Sequence, residues 1–281
     1  MKKFKITNPE KILFNKGKIK KIDIINYYID ISCLMLPFIE NRLLSVIRCH
    51  GDNGNECFYK KHPSNDKDMV KTKKVSGEEY FYINTQEELV YQVQMGTIEF
   101  HPWGSVVKSL TKPNMMIFDL DPDEKLPLAK LRDAVIKVKS VLDELNLTSF
   151  LKTSGGKGYH IVVPFKESSS WNNFYAFSRK VAEFVESKWP NVFTANIRKA
   201  ERKGKIFIDY LRNHKGSTCV APYSVRARDN APISMPILWK DINKIKPNEI
   251  TIKNYKNYLN NSWKNYFESS QILQNITKNV R

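Results

Sequence analysis

A pair of acidic side chains at the end of an apolar segment is the strongest indication of chemistry in this sequence. The apolar residues Met115 to Phe118 are followed by Asp119 and Asp121, one residue apart. A continuous apolar run of this kind predicts a buried strand. Residues i and i+2 of a strand lie on one face, so we expect the two carboxylates side by side. Adjacent carboxylates repel each other, and a shared proton or a divalent cation relieves that repulsion.

A third acid, Asp209, lies near the end of a second apolar segment at 205–210. Three carboxylates that converge from neighbouring strands could hold two divalent ions, which stabilise the attacking and leaving oxygens of a phosphoryl displacement. Two other interpretations stay open. Asp121 and Asp123 could simply close a turn around Pro122, since Asp and Pro favour turns. The first Asp could also be a phosphatase-type nucleophile, although Gly-Thr or Gly-Val usually follows that motif.

A glycine-rich segment, TSGGKG at 153–158, lies between two short apolar segments and suggests an anion site. Glycines let backbone N–H groups approach an anion, while Lys157 adds a full charge and Ser154 a hydroxyl. The segment is not a Walker loop, because an apolar strand pattern follows it instead of a helix. A glycine-rich hairpin with an incidental lysine explains the pattern equally well.

Other side chains in the sequence suit phosphate oxygens. His101, at the end of an apolar segment, could donate to a phosphate or act as a general acid, although a lone histidine is more often structural. Arg226 and Arg228 would share a face of an extended segment, and guanidinium groups pair bidentately with phosphate. A solvated basic edge strand is the alternative for the two arginines.

The charge of the chain favours a polyanionic partner. Its formal net charge is +17, although lysine is abundant throughout and a compositional bias would give the same excess. Phe58 and Tyr59 are followed by Lys60, Lys61 and His62. Aromatic side chains beside cations fit a surface that stacks bases and holds phosphates, and equally a buried aromatic core with a basic flank.

The hydrophobic pattern predicts an α+β fold with mixed, mainly antiparallel sheets flanked by helices, since strands and helices alternate without a strict βαβ rhythm. We expect helices at 22–39, ended or kinked near Pro37, and at 128–145 and 174–189. Strands are expected at 43–48, 80–83, 98–100, 115–118, 150–151, 161–163 and 205–210. A further extended segment is expected to begin at residue 58. A turn at 51–55, a solvated loop at 64–79 and a C-terminal helix or loose tail complete the prediction.

Length and hydropathy suggest a cytoplasmic protein. The 281 residues are treated as a single domain, 1–281, and no apolar run approaches the roughly 18 residues that span a bilayer. The N-terminal residues show no apolar stretch or cleavage site of a secretory signal. The expectation is therefore a location away from membranes.

The cysteines are scattered, and in a cytoplasmic protein they are expected to be reduced thiols. They are Cys33, Cys49, Cys57 and Cys219. A zinc site from Cys49, His50, Cys57 and His62 is the less favoured alternative, because the spacing matches no common ligand pattern.

These motifs, in this order, resemble the polymerase domain of bacterial ligase D, a branch of the archaeo-eukaryotic primase superfamily used in nonhomologous end joining. The matching segments are NPEKILF at 8–14, RCHGDNGNECFYKKH at 48–62, IEFHPWGS at 98–105, FDLDPD at 118–123, TSGGKGYHIVVP at 153–164, KIFIDYLRN at 205–213 and APYSVRAR at 221–228. The resemblance covers residues 6–259 and implies a primase-like catalytic fold, with 260–281 as a C-terminal helix or tail.

The resemblance implies a role for each matching residue. The metal ligands would be Asp119, Asp121 and Asp209, holding two ions of Mn²⁺ or Mg²⁺. The triphosphate pocket would be lined by His101, Ser154, Gly155, Gly156, Lys157 and Arg226. The template and primer would be placed by Phe58, Tyr59 and Arg202, and the DNA 5′-phosphate would be held by Lys11 and Lys21.

The implied activity is template-directed addition of NTPs, preferentially, or dNTPs to a 3′-OH at gaps and broken DNA ends, in the nucleoid. Ku and a separate DNA ligase are the expected partners. A de novo primase, a non-catalytic end-binding module and a metal-dependent nuclease are the alternatives. Three departures from the family are Tyr59 in place of a second Phe, Arg212 in place of a polar residue, and His50-Gly51 in place of Pro-Asp.

Overall fold

The computed structural model describes residues 4–50, 56–63, 69–260, 262–269 and 271–274, so the turn expected at 51–55 and residues 275–281 of the tail lie outside it. The chain divides into two compact units. The first comprises 1–108, 218–235 and 250–258, and the second comprises 109–217, 236–249 and 259–281. That the units form the single domain expected from the sequence stays a prediction.

The first unit is built on antiparallel strand pairs and two helices. Its elements are β1 (Ile12–Phe14), β2 (Ile19–Lys20), α1 (Lys21–Ile39), β3 (Leu44–His50), β4 (Glu56–Lys60), β5 (Lys71–Val75), β6 (Glu78–Tyr82), α2 (Gln86–Gln94) and β7 (Thr97–Pro102). Strands β4, β3 and β7 form a sheet in that order, and β1–β2 and β5–β6 are separate two-stranded pairs.

The second unit is built on a six-stranded sheet. Its elements are β8 (Met115–Pro122), α3 (Leu128–Glu144), β9 (Phe150–Thr153), β10 (Tyr159–Pro164), α4 (Trp171–Lys188), β11 (Phe193–Thr194), β12 (Ile206–Asp209) and β13 (Pro236–Ile237). The strand order is β11-β12-β8-β10-β9-β13, with only the β11–β12 pair parallel in this sheet. The predicted α+β class, mainly antiparallel, is confirmed.

Helix α1 is the core helix of the first unit. It begins where the Asp23 carboxylate accepts from the backbone N–H of Lys20 at 2.8 Å, and it includes Pro37. By length and composition this helix could cross a membrane, since its mean hydropathy is 1.5. Half of its apolar 18-residue stretch is, however, buried within the protein. The hydroxyls of Tyr27 and Tyr28 donate to the carbonyls of Tyr223 and Ile98, each at 2.6 Å. These satisfied polar groups are typical of a helix packed against protein.

The helices of the second unit follow the predicted periodicity. Helix α3 buries Leu131, Val135, Val138 and Leu142, and α4 buries Phe174, Phe177 and Val181 among others. The two helices contact each other, and they also contact β10 and β8, the two central strands of the sheet. A short 3₁₀ turn, Tyr255–Tyr258, lies in the first unit, and residues 262–268 of the C-terminal helix or tail predicted at 260–281 form turns.

The expectation of a solvated loop at 64–79 is wrong for its described part, because residues 71–75 and 78–82 form the β5–β6 hairpin. Ser76 and Gly77, with φ of 51° and 87°, make the two-residue turn that such hairpins favour. The lysines of β5 remain exposed, so the strand has no apolar pattern to identify it.

The expectation of four reduced cysteines is also wrong. Cys49 and Cys57 lie opposite each other on β3 and β4, with their Cα atoms 4.1 Å apart, and form a disulfide. Cys33 and Cys219 are not part of a disulfide. The bonded sulfurs exclude the zinc site considered from Cys49, His50, Cys57 and His62. The pairing depends on the β3–β4 register, which the sequence does not give.

Gly158 allows a close backbone approach beside the acidic pair. A Cβ atom at this position would lie 2.2 Å from the carbonyl oxygen of Leu120, which is part of β8. A contact of that length with backbone cannot be relieved by a side-chain rotation. Only glycine therefore lets the start of β10 approach β8 beside Asp119 and Asp121.

We expect Gly158→Ala to lower the free energy of unfolding by about 2 kcal/mol, because β8 and β10 must separate. Urea denaturation followed by circular dichroism measures the loss. The matched control is Gly204→Ala, where φ is +72° but nothing lies within 4 Å of a Cβ, so about 1 kcal/mol is expected. Equal losses in the two variants would contradict the role given to the close approach.

Candidate functional site

Three carboxylates converge in the second unit as the sequence predicted. Asp119 on β8 is directly paired with Asp209 on β12, and Asp121 lies two residues farther along β8. One oxygen from each of the three lies within 4.8 Å of the others. Strand alternation places the intervening Leu120 in the core, where it is fully buried. The cluster could therefore hold a metal ion.

Two nitrogen-bearing side chains contact the acids. Nε2 of His160, on β10, lies 3.1 Å from Oδ1 of Asp119. Nε of Arg212 lies 3.0 Å from Oδ2 of Asp209 and 4.0 Å from Oδ2 of Asp119. Arg212 is one of the three expected departures from the family that the sequence resembles, and its charge lies directly against the acidic cluster.

The environment shifts the pKa values of the acids in opposite directions. Burial acts to raise the pKa of Asp119, but His160 and Arg212 outweigh it and lower that pKa to about 2. Desolvation and the charge of Asp119 raise the pKa of Asp121 to about 6. Burial also raises the pKa of Asp209, although the Arg212 charge opposes it. Asp121 is thus the carboxyl group of this cluster whose negative charge is least compensated by its surroundings.

Lys152 contacts His160 through the ring nitrogen that does not face Asp119. It lies on β9, is only 1% exposed, and its Nζ is 2.7 Å from Nδ1 of His160. This contact holds the imidazole through Nδ1, so that Nε2 faces Asp119. Sequence reasoning missed both residues. His160 lies within the matched segment TSGGKGYHIVVP, but its place opposite Asp119 follows from the β8–β10 register.

The acidic cluster fits a divalent cation. Carboxylate oxygens are the ligands that Mg²⁺ and Mn²⁺ prefer. The raised pKa of Asp121 indicates that His160 and Arg212 do not balance all of the negative charge in the cluster. A bound cation would compensate the remaining charge. Asp119, Asp121 and Asp209 would be the ligands.

The glycine-rich segment forms the hairpin between β9 and β10. The Ser154 hydroxyl accepts from the N–H groups of Gly156 at 3.0 Å and Gly158 at 3.1 Å. The N–H group of Gly155 donates to the carbonyl of Pro247 at 3.0 Å. These N–H groups therefore have acceptors within the protein, and a phosphate would have to compete with them. Their role in nucleotide binding stays a prediction.

Lys157 extends from the tip of this hairpin. Its side chain is 60% exposed and its Nζ lies 2.6 Å from a carboxylate oxygen of Glu124. Exposed ion pairs of this kind contribute little to stability and exchange partners readily. Lys157 can therefore turn to another anion at small cost.

In the first unit, Glu99 brings together His101 and Arg226. Its carboxylate lies 2.8 Å from Nε2 of His101 and 3.0 Å from Nε of Arg226. Arg228, by contrast, is exposed. The expectation of an extended segment carrying both arginines is wrong, because the N–H of Arg228 bonds to the carbonyl of Arg226 in a turn. Sequence reasoning also missed Glu99, which lies within IEFHPWGS.

Phe58 and Tyr59 are surface aromatics on β4, not core residues. They are 48% and 64% exposed. The ring of Tyr59 lies 5.6 Å from that of His101. Their exposure removes the alternative of a buried aromatic core and leaves the proposal of a stacking surface.

Lys11 and Lys21 lie together in the first unit. The backbone N–H of Lys21 bonds to the Lys11 carbonyl at 2.8 Å, and Nζ of Lys21 donates to the carbonyl of Thr7 at 2.9 Å. Burial and the nearby charge of Lys11 lower the pKa of Lys21. Two cations held close together, one of them buried, are suited to an anion.

Arg202 lies in the second unit at the end of a short 3₁₀ turn, Lys199–Arg202. Its guanidinium carbon is 3.5 Å from the centre of the Phe207 ring, and it donates to the carbonyl of Ile197 at 2.7 Å. The side chain is thus fixed by stacking. Its placement of a primer stays a prediction.

Comparison with solved structures establishes the class of fold. The chain has the fold of a solved structure, the polymerase domain from Mycobacterium tuberculosis ligase D in complex with DNA, with a TM-score of 0.81, 24% identity and 98% of each chain covered. At this identity the likeness establishes the fold alone.

The family follows from sequence comparison. The model of the LigD primase-polymerase domain matches residues 20–266, and the chain belongs to that family. It is 33% identical over 247 residues to the multifunctional non-homologous end joining protein LigD of Pseudomonas aeruginosa, covering 86% of this chain and 29% of that protein. It is 30% identical over 242 residues to the bifunctional LigD of Bacillus subtilis, covering 85% of this chain and 39% of that protein. The chain thus corresponds to only part of each relative.

Asp121→Asn should weaken Mn²⁺ binding about tenfold or more, because the amide offers no charge to the cation. Electron paramagnetic resonance of free Mn²⁺ measures the affinity. In the wild type the affinity should fall as the pH drops through about 6, where Asp121 takes up a proton. The control is Asp133→Asn on α3, whose acid is exposed. Unchanged Mn²⁺ affinity in Asp121→Asn would exclude this residue as a ligand.

Proposed function

We propose that this chain is a DNA repair polymerase of nonhomologous end joining. It adds nucleotides, NTPs in preference to dNTPs, to a 3′-OH at gaps and double-strand-break ends under the direction of a template. The observation that carries the proposal is the cluster of three carboxylates within 4.8 Å, in a chain of the LigD primase-polymerase family. The preference for ribonucleotides rests on the family resemblance alone.

The acidic cluster would hold two divalent ions, with Mn²⁺ favoured over Mg²⁺. Bound there, they would lower the pKa of the 3′-hydroxyl and neutralise charge on the triphosphate. The protein's own contribution is to keep the ligands ionised and oriented. His160 and Arg212 hold Asp119 as a carboxylate, and at Asp209 the Arg212 charge opposes the rise in pKa that burial causes.

The triphosphate-binding roles implied by the family resemblance fall on two sets of side chains. In the first unit these are His101 and Arg226, which Glu99 holds in place. In the second unit they are Ser154, Gly155, Gly156 and Lys157 of the β9–β10 hairpin. Lys157 supports this assignment best, since its exposed ion pair with Glu124 is readily exchanged.

DNA would be bound through charge and stacking. The net charge of +17 favours phosphate contacts, so affinity should fall steeply with salt. The exposed Phe58 and Tyr59 would position the template, Arg202 the primer terminus, and Lys11 with Lys21 the 5′-phosphate. The structural relative is a complex with DNA, which supports a DNA partner. Ku and a separate ligase would be the protein partners, in the nucleoid of the cytoplasm.

The decisive experiment is extension of a 5′-phosphorylated, gapped duplex with Mn²⁺, comparing NTPs with dNTPs. We expect template-directed addition by the wild type and a loss of about 100-fold or more in Asp119→Asn, because a charged ligand is removed from the reaction centre. The control Asp133→Asn should extend normally.

Other outcomes distinguish the alternatives. Dinucleotide synthesis on an unprimed template would favour a primase, and degradation without incorporation would favour a nuclease. DNA binding with no incorporation under any of these conditions would leave a non-catalytic end-binding module.

We expect Lys21→Gln and Lys11→Ala to abolish the preference for a 5′-phosphorylated gap while leaving affinity for the unphosphorylated gap within about twofold. Each removes one of the two cations proposed to face that phosphate. Fluorescence anisotropy with matched phosphorylated and unphosphorylated duplexes measures the preference. Lys16→Ala, a nearby exposed lysine, is the control. A preference that persists in both variants would place the 5′-phosphate elsewhere.

A further inference from the structure

Glu99 is a buried acid that accepts three hydrogen bonds in the first unit. It lies on β7 and is 2% exposed. Besides His101 and Arg226, its carboxylate accepts from the backbone N–H of Ala227 at 2.7 Å. A buried carboxylate is tolerated only when it is paired and hydrogen-bonded, and Glu99 meets both conditions.

The carboxylate of Glu99 is ionised. Burial acts to raise its pKa, but the hydrogen bond from His101 and the charge of Arg226 outweigh burial and lower that pKa. An ionised carboxylate only accepts hydrogen bonds, so the proton of His101 in this contact is on Nε2. The Glu99 carboxylate therefore fixes the orientation of the ring, with Nε2–H directed toward it.

The contacts also fix which atoms can address a ligand. Glu99 and His101 are two residues apart on β7 and lie on one face, so the imidazole is anchored through Nε2. A phosphate only accepts hydrogen bonds, so a phosphate contact from this ring would use Nδ1 and would require Nδ1 to carry a proton as well, that is, the imidazolium form. Arg226 meets Glu99 through Nε, which fixes the orientation of its guanidinium group. The bond to Ala227 holds the backbone next to Arg226.

We propose that Glu99 is a positioning residue for the part of the triphosphate site formed by His101 and Arg226. The inference rests on the proposed polymerase function. Glu99 does not touch the nucleotide. It fixes the imidazole and the guanidinium before the nucleotide arrives, so that binding does not have to order two long side chains.

Glu99→Gln tests the role directly. The amide has one acceptor oxygen, and its NH₂ group would face a donor, so the three hydrogen bonds cannot all be kept. We expect KM for the NTP to rise about tenfold, equivalent to one charge-assisted hydrogen bond, while kcat at saturation stays within about threefold. Affinity for gapped DNA and for Mn²⁺ should not change. The control is Glu87→Gln on α2 of the same unit.

A spectroscopic measurement separates positioning from a general loss of structure. Histidine-selective ¹⁵N labelling gives five residues to follow, and His101→Gln assigns the signal. In the wild type, Nε2 of His101 should carry a proton with and without nucleotide, and α,β-methylene-ATP with Mg²⁺ should shift the Nδ1 signal toward that of a protonated nitrogen. If Glu99→Gln does not fold, Glu99→Asp, which keeps the charge on a shorter side chain, should show an intermediate KM.

The outcomes for the two proposals differ. A wild-type protein that fails to extend the gapped duplex overturns the proposed function. A wild-type protein that extends it, while folded Glu99→Gln keeps the wild-type KM, overturns the role of Glu99 alone. A proton on Nδ1 instead of Nε2 in the wild type overturns it as well.

Discussion

The repulsion among Asp119, Asp121 and Asp209 is the constraint on which the second unit depends. Three carboxylates with oxygens within 4.8 Å of one another are unstable unless cations or donors surround them. The sheet order places β10 and β12 on either side of β8, which brings His160 to Asp119 and positions Asp209 beside it. The neighbouring groups do not compensate all of this negative charge. The pKa of Asp121 is raised by burial and by the charge of Asp119.

Histidine–carboxylate pairs occur in both units with the roles reversed. In the second unit Asp119 is a candidate metal ligand, and His160, which contacts Lys152, orients it. In the first unit His101 is the proposed phosphate-binding group, and Glu99 orients it. In each pair Nε2 faces the carboxylate. The same hydrogen bond thus prepares an oxygen to receive a cation in one case and a nitrogen to receive an anion in the other.

The sequence predicted what depends on local periodicity. The i, i+2 spacing of Asp119 and Asp121 and the 3–4 spacing of α3 are both present in the structure. The residues it missed depend on register between distant segments: His160 opposite Asp119, Glu99 against Arg226, and Cys49 opposite Cys57. Strand β5 was missed because its exposed lysines carry no apolar pattern.

The alternation along β8 has a consequence for affinity. Phe118 and Leu120 are fully buried in the core. Their packing holds the backbone of β8 on which Asp119 and Asp121 lie. A cation arriving at these acids finds ligands whose main chain is already ordered, and little conformational entropy remains to be lost on binding. The apolar residues of the strand, which touch no ligand, thereby set how tightly the acids can hold one.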